Sequence, residues 1–458
     1  MPRPYIAEGE STGWLWPIVP GLSGFLAHNG AASPATPPSL NRVPRRLFVD
    51  LNPLGHSRDF RLLFSGQLVS TLGSLLTVVA VPYQVYRMTH SSLNVGLVSL
   101  AQLVPLLVFS MIGGSVADTH DRRRVLMVTE LLMALTSTGL AFNGSFGSPA
   151  LWPLFVLSAG SGALAGFDRP AFNASIPRMV LTEDLAAAYA LWQVQLQVGT
   201  VVGPAIAGVL LSSAGLSTVY WIDVATFVVS FASVAAMTAQ APLAGAGRAG
   251  WKSVVEGARY LRGRQVIQGV FLLDIDAMVF GMPRALFPAL GLGVFHGGAR
   301  AVGFLYAAPG AGALVGALFT GWVNQVRRQG RAVIVAVVFW GLAITAFGLV
   351  HVLWLALVLL ALAGWSDVVS AVFRNTILQT AIPDSLRGRL SAIQIAVVQG
   401  GPRLGDLESG GVAQALGAEF SVVSGGVACV IGAFLLAAAL PGFRNQQAPD
   451  PEAASAPR

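Results

Sequence analysis

This sequence predicts an all-α integral-membrane fold: twelve transmembrane helices in two six-helix bundles related by a pseudo-twofold axis. Three observations predict it. Only 11% of the 458 residues are charged and 54% are hydrophobic, whereas a soluble domain carries roughly a quarter charged residues. The mean hydropathy is +0.67, and apolar runs of about 20 residues recur along almost the whole chain, each long enough to cross ~30 Å of hydrocarbon at ~1.5 Å per residue. These runs are continuous rather than alternating with period two, which argues against strands. The third observation is a self-similarity between the two halves of the chain.

Taken in order, residues 1–57 contain Pro, Gly and Ser with little periodicity. The run "WLWPIVPGLSGFLA" is too short and too proline-broken to span, and no basic n-region marks a signal peptide. A mostly disordered cytoplasmic tail is expected. An N-terminal bundle follows at 58–240, with spans near 62–85, 93–117, 125–143, 151–173, 186–212 and 218–240. Residues 241–265 form a linker that opens on small residues. It ends with Val254, Val255, Ala258 and Leu261 at helical spacing opposite Lys252, Glu256, Arg259 and Arg262, an amphipathic segment suited to the membrane surface. A C-terminal bundle at 266–441 holds spans near 266–293, 300–323, 332–350, 353–377, 391–416 and 420–441, and 442–458 reads as a second disordered cytoplasmic tail.

The net charge of +7 arises from Arg in the connections and is not a nucleic-acid footprint. With both termini cytoplasmic, the inner connections carry Arg122–Arg124, Arg178, the basic linker, Arg327, Arg328, Arg331, Arg387 and Arg389. The outer ones hold little beyond Arg87 and Arg300. That asymmetry sets the expected orientation. Cys429 is the only cysteine, so no intrachain disulfide and no metal cluster is expected; it reads as a small buried hydrophobe.

The halves repeat. Residues 94–118 align without a gap on 301–325, placing Gly96 on Gly303 and Gly114 on Gly321. With an offset shifted by one, "FDRPAFNASIP" (167–177) lies over "FRNTILQTAIP" (373–383).

Charge concentrates in "GGSVADTHDRRRVL" at 113–126. Gly114 would let helices approach, and Asp118 at a helix end could pair with an Arg or a helix dipole, forming a latch that breaks in one conformation. The alternative is a turn that only sets orientation, which suits Arg122, Arg123 and Arg124 better than Asp118. Duplicated six-helix halves with this Gly, Asp and Arg-rich turn resemble the major facilitator superfamily; Thr119 departs from that signature. In span five, "GTVVGPAIAG" with Gly199, Gly203, Pro204 and Gly208 resembles the antiporter signature of the same superfamily, with Ala207 in place of a Gly. Close packing and a kink are expected there. "RALFPAL" (284–290), "VGFLYAAPGAGALVGAL" (302–318) and "ILQTAIPDSLRGRLSAI" (377–393) are similar to the group that holds the enterobactin exporter and drug:proton antiporters. The resemblance runs from about residue 58 to 440 and implies efflux of a siderophore or drug-like amphiphile across a bacterial inner membrane, by alternating access and proton antiport. It also implies a monomer whose partners are the small-molecule substrate, protons and the lipid bilayer.

Acids within spans are costly unless they face a cavity or a partner. Asp276 lies ~15 Å along span seven, near the midplane. It is the first candidate for proton coupling, with Asp274 and Asp367 behind it, and a structural acid paired with Arg is the alternative for each. Arg284 shares the face of Asp276. Asp168 falls on Arg374 in the repeat, which suggests a gate contact, with helix-end solvation as the alternative. Asp406 and Glu408 are expected near Arg403. Asp223 and Glu130 read as structural acids near helix ends. Gln67, Ser70, Thr71, Ser74, Gln84, Gln193 and Gln197 are candidates for substrate contact, and Phe280, Trp365 and Phe373 could stack on a flat ligand.

An uptake symporter of the same fold is the competing transport reading. An integral-membrane enzyme or sensor is the remote one. Six dispersed His residues form no HExxH, and the chain has no GxxxxGK[ST] loop. No enzymatic activity, cofactor, metal or nucleic acid is therefore expected.

Overall fold

The computed structural model describes residues 50–240 and 259–448. Twelve long helices are found among the described residues. The first six are α1 (Arg58–Thr89), α2 (Ser92–Thr119), α3 (Arg122–Ser145), α4 (Trp152–Met179), α5 (Leu185–Ser213) and α6 (Leu216–Ala235). After the linker come α7 (Gln265–Phe280), α8 (Gly298–Leu318), α9 (Gln329–Gly348), α10 (Leu353–Ala381), α11 (Asp384–Leu416) and α12 (Ala418–Ala439). The expected spans sit on these helices one for one. The amphipathic stretch of the linker up to residue 258 lies outside the described residues.

Ten of the twelve, counting α7 with its continuation to Val294, are both long and apolar enough to cross a membrane. Helices α4 and α11 have 28 and 33 residues, enough to span, but are more polar. They carry Asp168 and Arg169, and Arg403, Asp406 and Glu408. Asp168, Arg169, Arg403 and Asp406 are tolerated because they line a cavity rather than lipid.

Helix ends follow local chemistry. Ser57, Ser91 and Asp121 cap α1, α2 and α3 by accepting backbone N–H bonds from Phe60, Asn94 and Arg123. The α5–α6 and α11–α12 connections turn at Gly215 (φ 85°) and Gly417 (φ 94°), left-handed positions that only glycine adopts without strain.

Span seven is not the continuous helix expected. Helix α7 stops at Phe280, and Gly281-Met282-Pro283 leads into a 3-10 turn (Arg284–Leu286), a single α turn (Phe287–Ala289) and a π turn (Leu290–Val294). Pro283 and Pro288 remove backbone donors there. The break is held by the Trp340 indole, whose N–H donates to the Gly281 carbonyl at 2.8 Å. Arg284 therefore leaves the face of Asp276.

Three buried apolar clusters are found among the described residues, and one of them joins the halves through Ala285, Ala299 and Val302. In the second half Phe287, Phe347 and Phe373 are fully buried; in the first, Leu140, Val219 and Tyr220 pack in one cluster and Phe60, Leu63 and Ile176 in another. Close backbone approach is also repeated. In the first half, α2 meets α4 where Gly113 faces the Gly166 backbone. In the second, α8 meets α10 where Gly312 faces Ala361 and Gly364 faces Pro309. Glycine is needed because a Cβ would strike main chain.

Both chain ends of the described region are tied down. A short helix at Asn52–His56 precedes α1, and the His56 ring meets Asp184 at 2.8 Å. Residues 442–448, expected as free tail, dock instead: Phe443 is fully buried against Gly269, and Ala448 N–H donates to the Arg327 carbonyl at 2.8 Å.

Candidate functional site

The two halves meet along two seams at one end of the molecule. At the α5–α8 seam Gly208 lies on Gly303, and a Cβ on Gly303 would stand 2.5 Å from the Pro204 carbonyl oxygen. Arg300 donates to the Ser212 hydroxyl at 2.9 Å just beyond. At the α2–α11 seam Gly96 faces the Asp406 and Leu407 backbone, and a Cβ on Gly410 would stand 2.5 Å from the Ser92 carbonyl oxygen. Ser91 donates to Gln414 at 2.7 Å. Gly96 and Gly303 are the residues the repeat aligns, so both seams use the same device. This end carries "SSAGLS" and "GAE", opposite the end that carries the Arg-rich turns.

Below the seams lies a cavity of about 650 Å³, lined by α1–α6 and by the broken part of span seven, Tyr306 and α11. Of the sequence candidates, Gln67, Ser70, Thr71, Ser74, Asp168 and Arg284 line it. Gln193, Phe280 and Trp365 do not. Gln193 faces outward from α5, Phe280 is 37% exposed, and Trp365 packs on Gly316 and stands edge-on to Phe339. Gln84 is buried and accepts from Tyr220 at 2.8 Å.

Asp276 is also absent from this cavity. Its carboxylate is buried between α7 and α12, beside Cys429 and over Gly432. Asp274 forms an ion pair with Arg374 at 2.8 Å, and Asp367 pairs with the same guanidinium at 3.3 Å. Two residues apart on a helix is a rotation of about 200°, so Asp274 and Asp276 cannot share surroundings. Asp168 does not meet Arg374; it accepts from Thr129 at 2.9 Å within its own half. Asp406 pairs not with Arg403 but with Arg284, at 3.6 Å.

Glu130 and Asp223, read from sequence as helix-end acids, face the cavity. Glu130 accepts from Gln67 at 2.9 Å and Ser230 at 2.8 Å; Asp223 accepts from Thr77 at 2.8 Å and Ser137 at 2.7 Å. All four partners are neutral. The signal for this site was the polar stripe at helical spacing, Gln67, Ser70, Ser74 and Thr77 on α1, matched by Glu130 and Ser137 on α3 and by Asp223 and Ser230 on α6.

The charged stretch at 113–126 departs from expectation at Gly114 and Asp118. A Cβ on Gly114 would meet nothing within 4 Å, as is true of its repeat mate Gly321; the close approach belongs to Gly113. Arg122 is buried and donates to the Ala117 and Ala174 carbonyls at 3.2 and 3.0 Å. Arg123 donates to the Val234 and Ala235 carbonyls, and Arg124 is exposed. These guanidiniums cap the C-terminal ends of α2 and α6. Asp118 has no ion pair within 4 Å among the described residues. In span five, Gly199 and Gly203 seat α5 on Leu75 of α1, with a Cβ on Gly203 only 2.5 Å from the Leu75 Cβ, whereas Gly208 belongs to the seam with α8.

Residues 49–456 match the transmembrane secretion effector family of the major facilitator superfamily. The chain belongs to this family. It is 31% identical over 398 residues to the enterobactin exporter EntS of Citrobacter koseri, covering 87% of this chain and 95% of that protein. It is 30% identical to EntS of Shigella boydii over 397 residues, 86% of this chain and 95% of the relative. Among solved structures, a bacterial homolog of the human lysosomal transporter Spinster, inward-facing and unoccupied, superposes with a TM-score of 0.69 at 15% identity, covering 88% of this chain and 100% of that one. A bacterial homologue of the iron transporter ferroportin, inward-facing, gives 0.62 at 16% identity, covering 85% and 99%. This major facilitator superfamily member is thus a multi-pass membrane transporter, homologous to the enterobactin exporter.

Proposed function

We propose that this transporter exports a small amphiphilic molecule, siderophore or drug-like, by alternating access coupled to inward proton movement. The observation that carries the reading is the polar cavity between the halves, which lies below the two glycine seams and away from them toward the Arg-rich turns. With the Arg-rich turns cytoplasmic, as the basic asymmetry of the loops favours, the seams lie at the outer end and the cavity loads from inside. Resemblance to proteins named as enterobactin exporters supports the outward direction.

Coupling requires an acid that can exchange a proton with water from either side. Glu130 and Asp223 suit this role because they line the cavity and are held by neutral groups alone. Asp168 stands with them. Asp274 and Asp367 are instead shared by Arg374, and Asp276 is walled off against α12.

The test is a pH-gradient assay in everted membrane vesicles whose lumen is acidified. Adding enterobactin or a panel of amphiphilic drugs should release luminal protons as substrate enters, and Glu130→Gln should abolish that release at normal abundance. If the whole panel leaves the gradient untouched in the wild type, the exporter reading fails.

A further inference from the structure

Opposite charges line the cavity, and the two halves of the chain contribute them unequally. The first half supplies Glu130, Asp168, Asp223 and Arg169; the second supplies Arg284, Arg403 and Asp406. Asp406 is already committed, one oxygen near Arg284 at 3.6 Å and the other accepting the Ala285 N–H at 3.1 Å.

Arg403 is held differently. Its guanidinium donates to the Gln399 carbonyl at 2.7 Å and to the Gln102 side-chain oxygen at 3.2 and 3.3 Å, all neutral partners. No carboxylate lies within 4 Å of it among the described residues. A guanidinium carries five N–H donors in a planar fork, so donors remain for a ligand. Arg284, Arg169 and Arg403 all line this one cavity, so three like charges converge on the same space. Arg169 is exposed to that space, and Arg284 keeps a buried Nε without a hydrogen-bond partner.

The wall built by α1, α3 and α6 has the opposite need. Glu130 and Asp223 are 2% and 1% exposed, and each retains one carboxylate oxygen without a hydrogen-bond partner. A simple anion would answer the arginines and be repelled by this wall, and a simple cation would do the reverse. Apolar side chains such as Val78, Val81, Leu140 and Phe227 fill the remaining lining.

We propose that the cavity takes a zwitterionic amphiphile, its anionic group bound by Arg403 and Arg169 and its amine drawn to Glu130 and Asp223. This rests on the cavity being the substrate site, and it supplies a coupling rule. Protons and the amine compete for the same carboxylates, so a proton arriving from outside displaces the amine and loosens the substrate.

The test uses four fluorescent probes that share one apolar body: dansyl-lysine (zwitterion), dansylglycine (anion), dansylcadaverine (cation) and dansylamide (neutral). Binding is read by dansyl fluorescence on the full chain in nanodiscs. Dansyl-lysine should bind tightest. Arg403→Gln should weaken dansyl-lysine and dansylglycine by about tenfold, the worth of one charge-assisted hydrogen bond, and spare dansylcadaverine. Glu130→Gln should weaken dansyl-lysine and dansylcadaverine and spare dansylglycine. Arg169→Gln gives a second readout of the anion side without disturbing a packed hydrogen bond. No saturable binding of dansyl-lysine, equal binding of dansylamide, or uniform weakening of all probes by both Arg variants would overturn the proposal. The predicted ranking without pH-driven efflux would leave it standing and remove the exporter reading. Efflux of dansylcadaverine with no dansyl-lysine binding would do the reverse.

Discussion

Gly208 of α5 and Gly303 of α8 touch backbone to backbone, the Cβ that Gly303 lacks falling 2.5 Å from the Gly208 Cα. These residues come from different halves, so in the proposed alternating-access cycle their contact belongs to one conformation. Overpacking at such a point costs about 1–3 kcal/mol. Gly303→Leu should therefore reduce transport about tenfold or more while insertion stays normal. With Cys429 replaced by alanine, a cysteine at Ala299, 5% exposed, should become reactive to maleimide in the Gly303→Leu background.

Glu130 and Asp276 separate two accounts of the proton site. Glu130→Gln should abolish coupled efflux, because it removes an acid that faces the cavity. Asp276→Asn should leave efflux within about twofold of wild type and alter stability by ~1 kcal/mol, since it replaces a buried carboxylate with a near-isostere outside the cavity. Vesicle transport on both variants checks this; loss of coupling in Asp276→Asn alone would restore that residue to the mechanism.

Arg374 is the sole cation shared by Asp274 and Asp367 in the described structure. Removing one partner of a buried pair leaves an uncompensated charge, at a cost of about 3–5 kcal/mol. Arg374→Ala should lower the unfolding temperature sharply, and the double variant Arg374→Gln/Asp274→Asn should recover most of the loss. Thermal unfolding in detergent distinguishes a stability element from a transport residue.

His56 and Asp184 form a pH-dependent tether outside the spans. Their hydrogen bond and charge attraction raise the His56 pKa above 6.5. For a raised folded value, the stabilisation is complete below the unfolded value and fades as pH climbs through the folded one. Protease sensitivity of the Asn52–His56 segment should be low at pH 6 and higher at pH 8.5. His56→Gln should remove that pH dependence.

The helices were legible in the sequence because lipid imposes a length and an apolar composition on each. The repeat was legible too, and Gly96 and Gly303, which it aligned, each sit in one of the two seams. The site was less so. Counting along α7 gave Asp276 a depth but no azimuth, and azimuth decided that Asp274 meets Arg374 whereas Asp276 meets α12. Glu130 and Asp223 were set aside as helix-end acids, although their polar neighbours at helical spacing mark a wet face. Pro283 also hid its effect: it broke span seven and carried Arg284 to the cavity beside Asp406.

At their glycines the seams close through bare main chain, and Arg300 to Ser212 and Ser91 to Gln414 bridge the halves just beyond. Parting them would release those hydrogen bonds and uncover apolar side chains clustered across the halves, among them Leu211, Ala299 and Val302. The joint is a fitted one: nothing larger than hydrogen can stand at Gly96, Gly208, Gly303 or Gly410 without prising the halves apart.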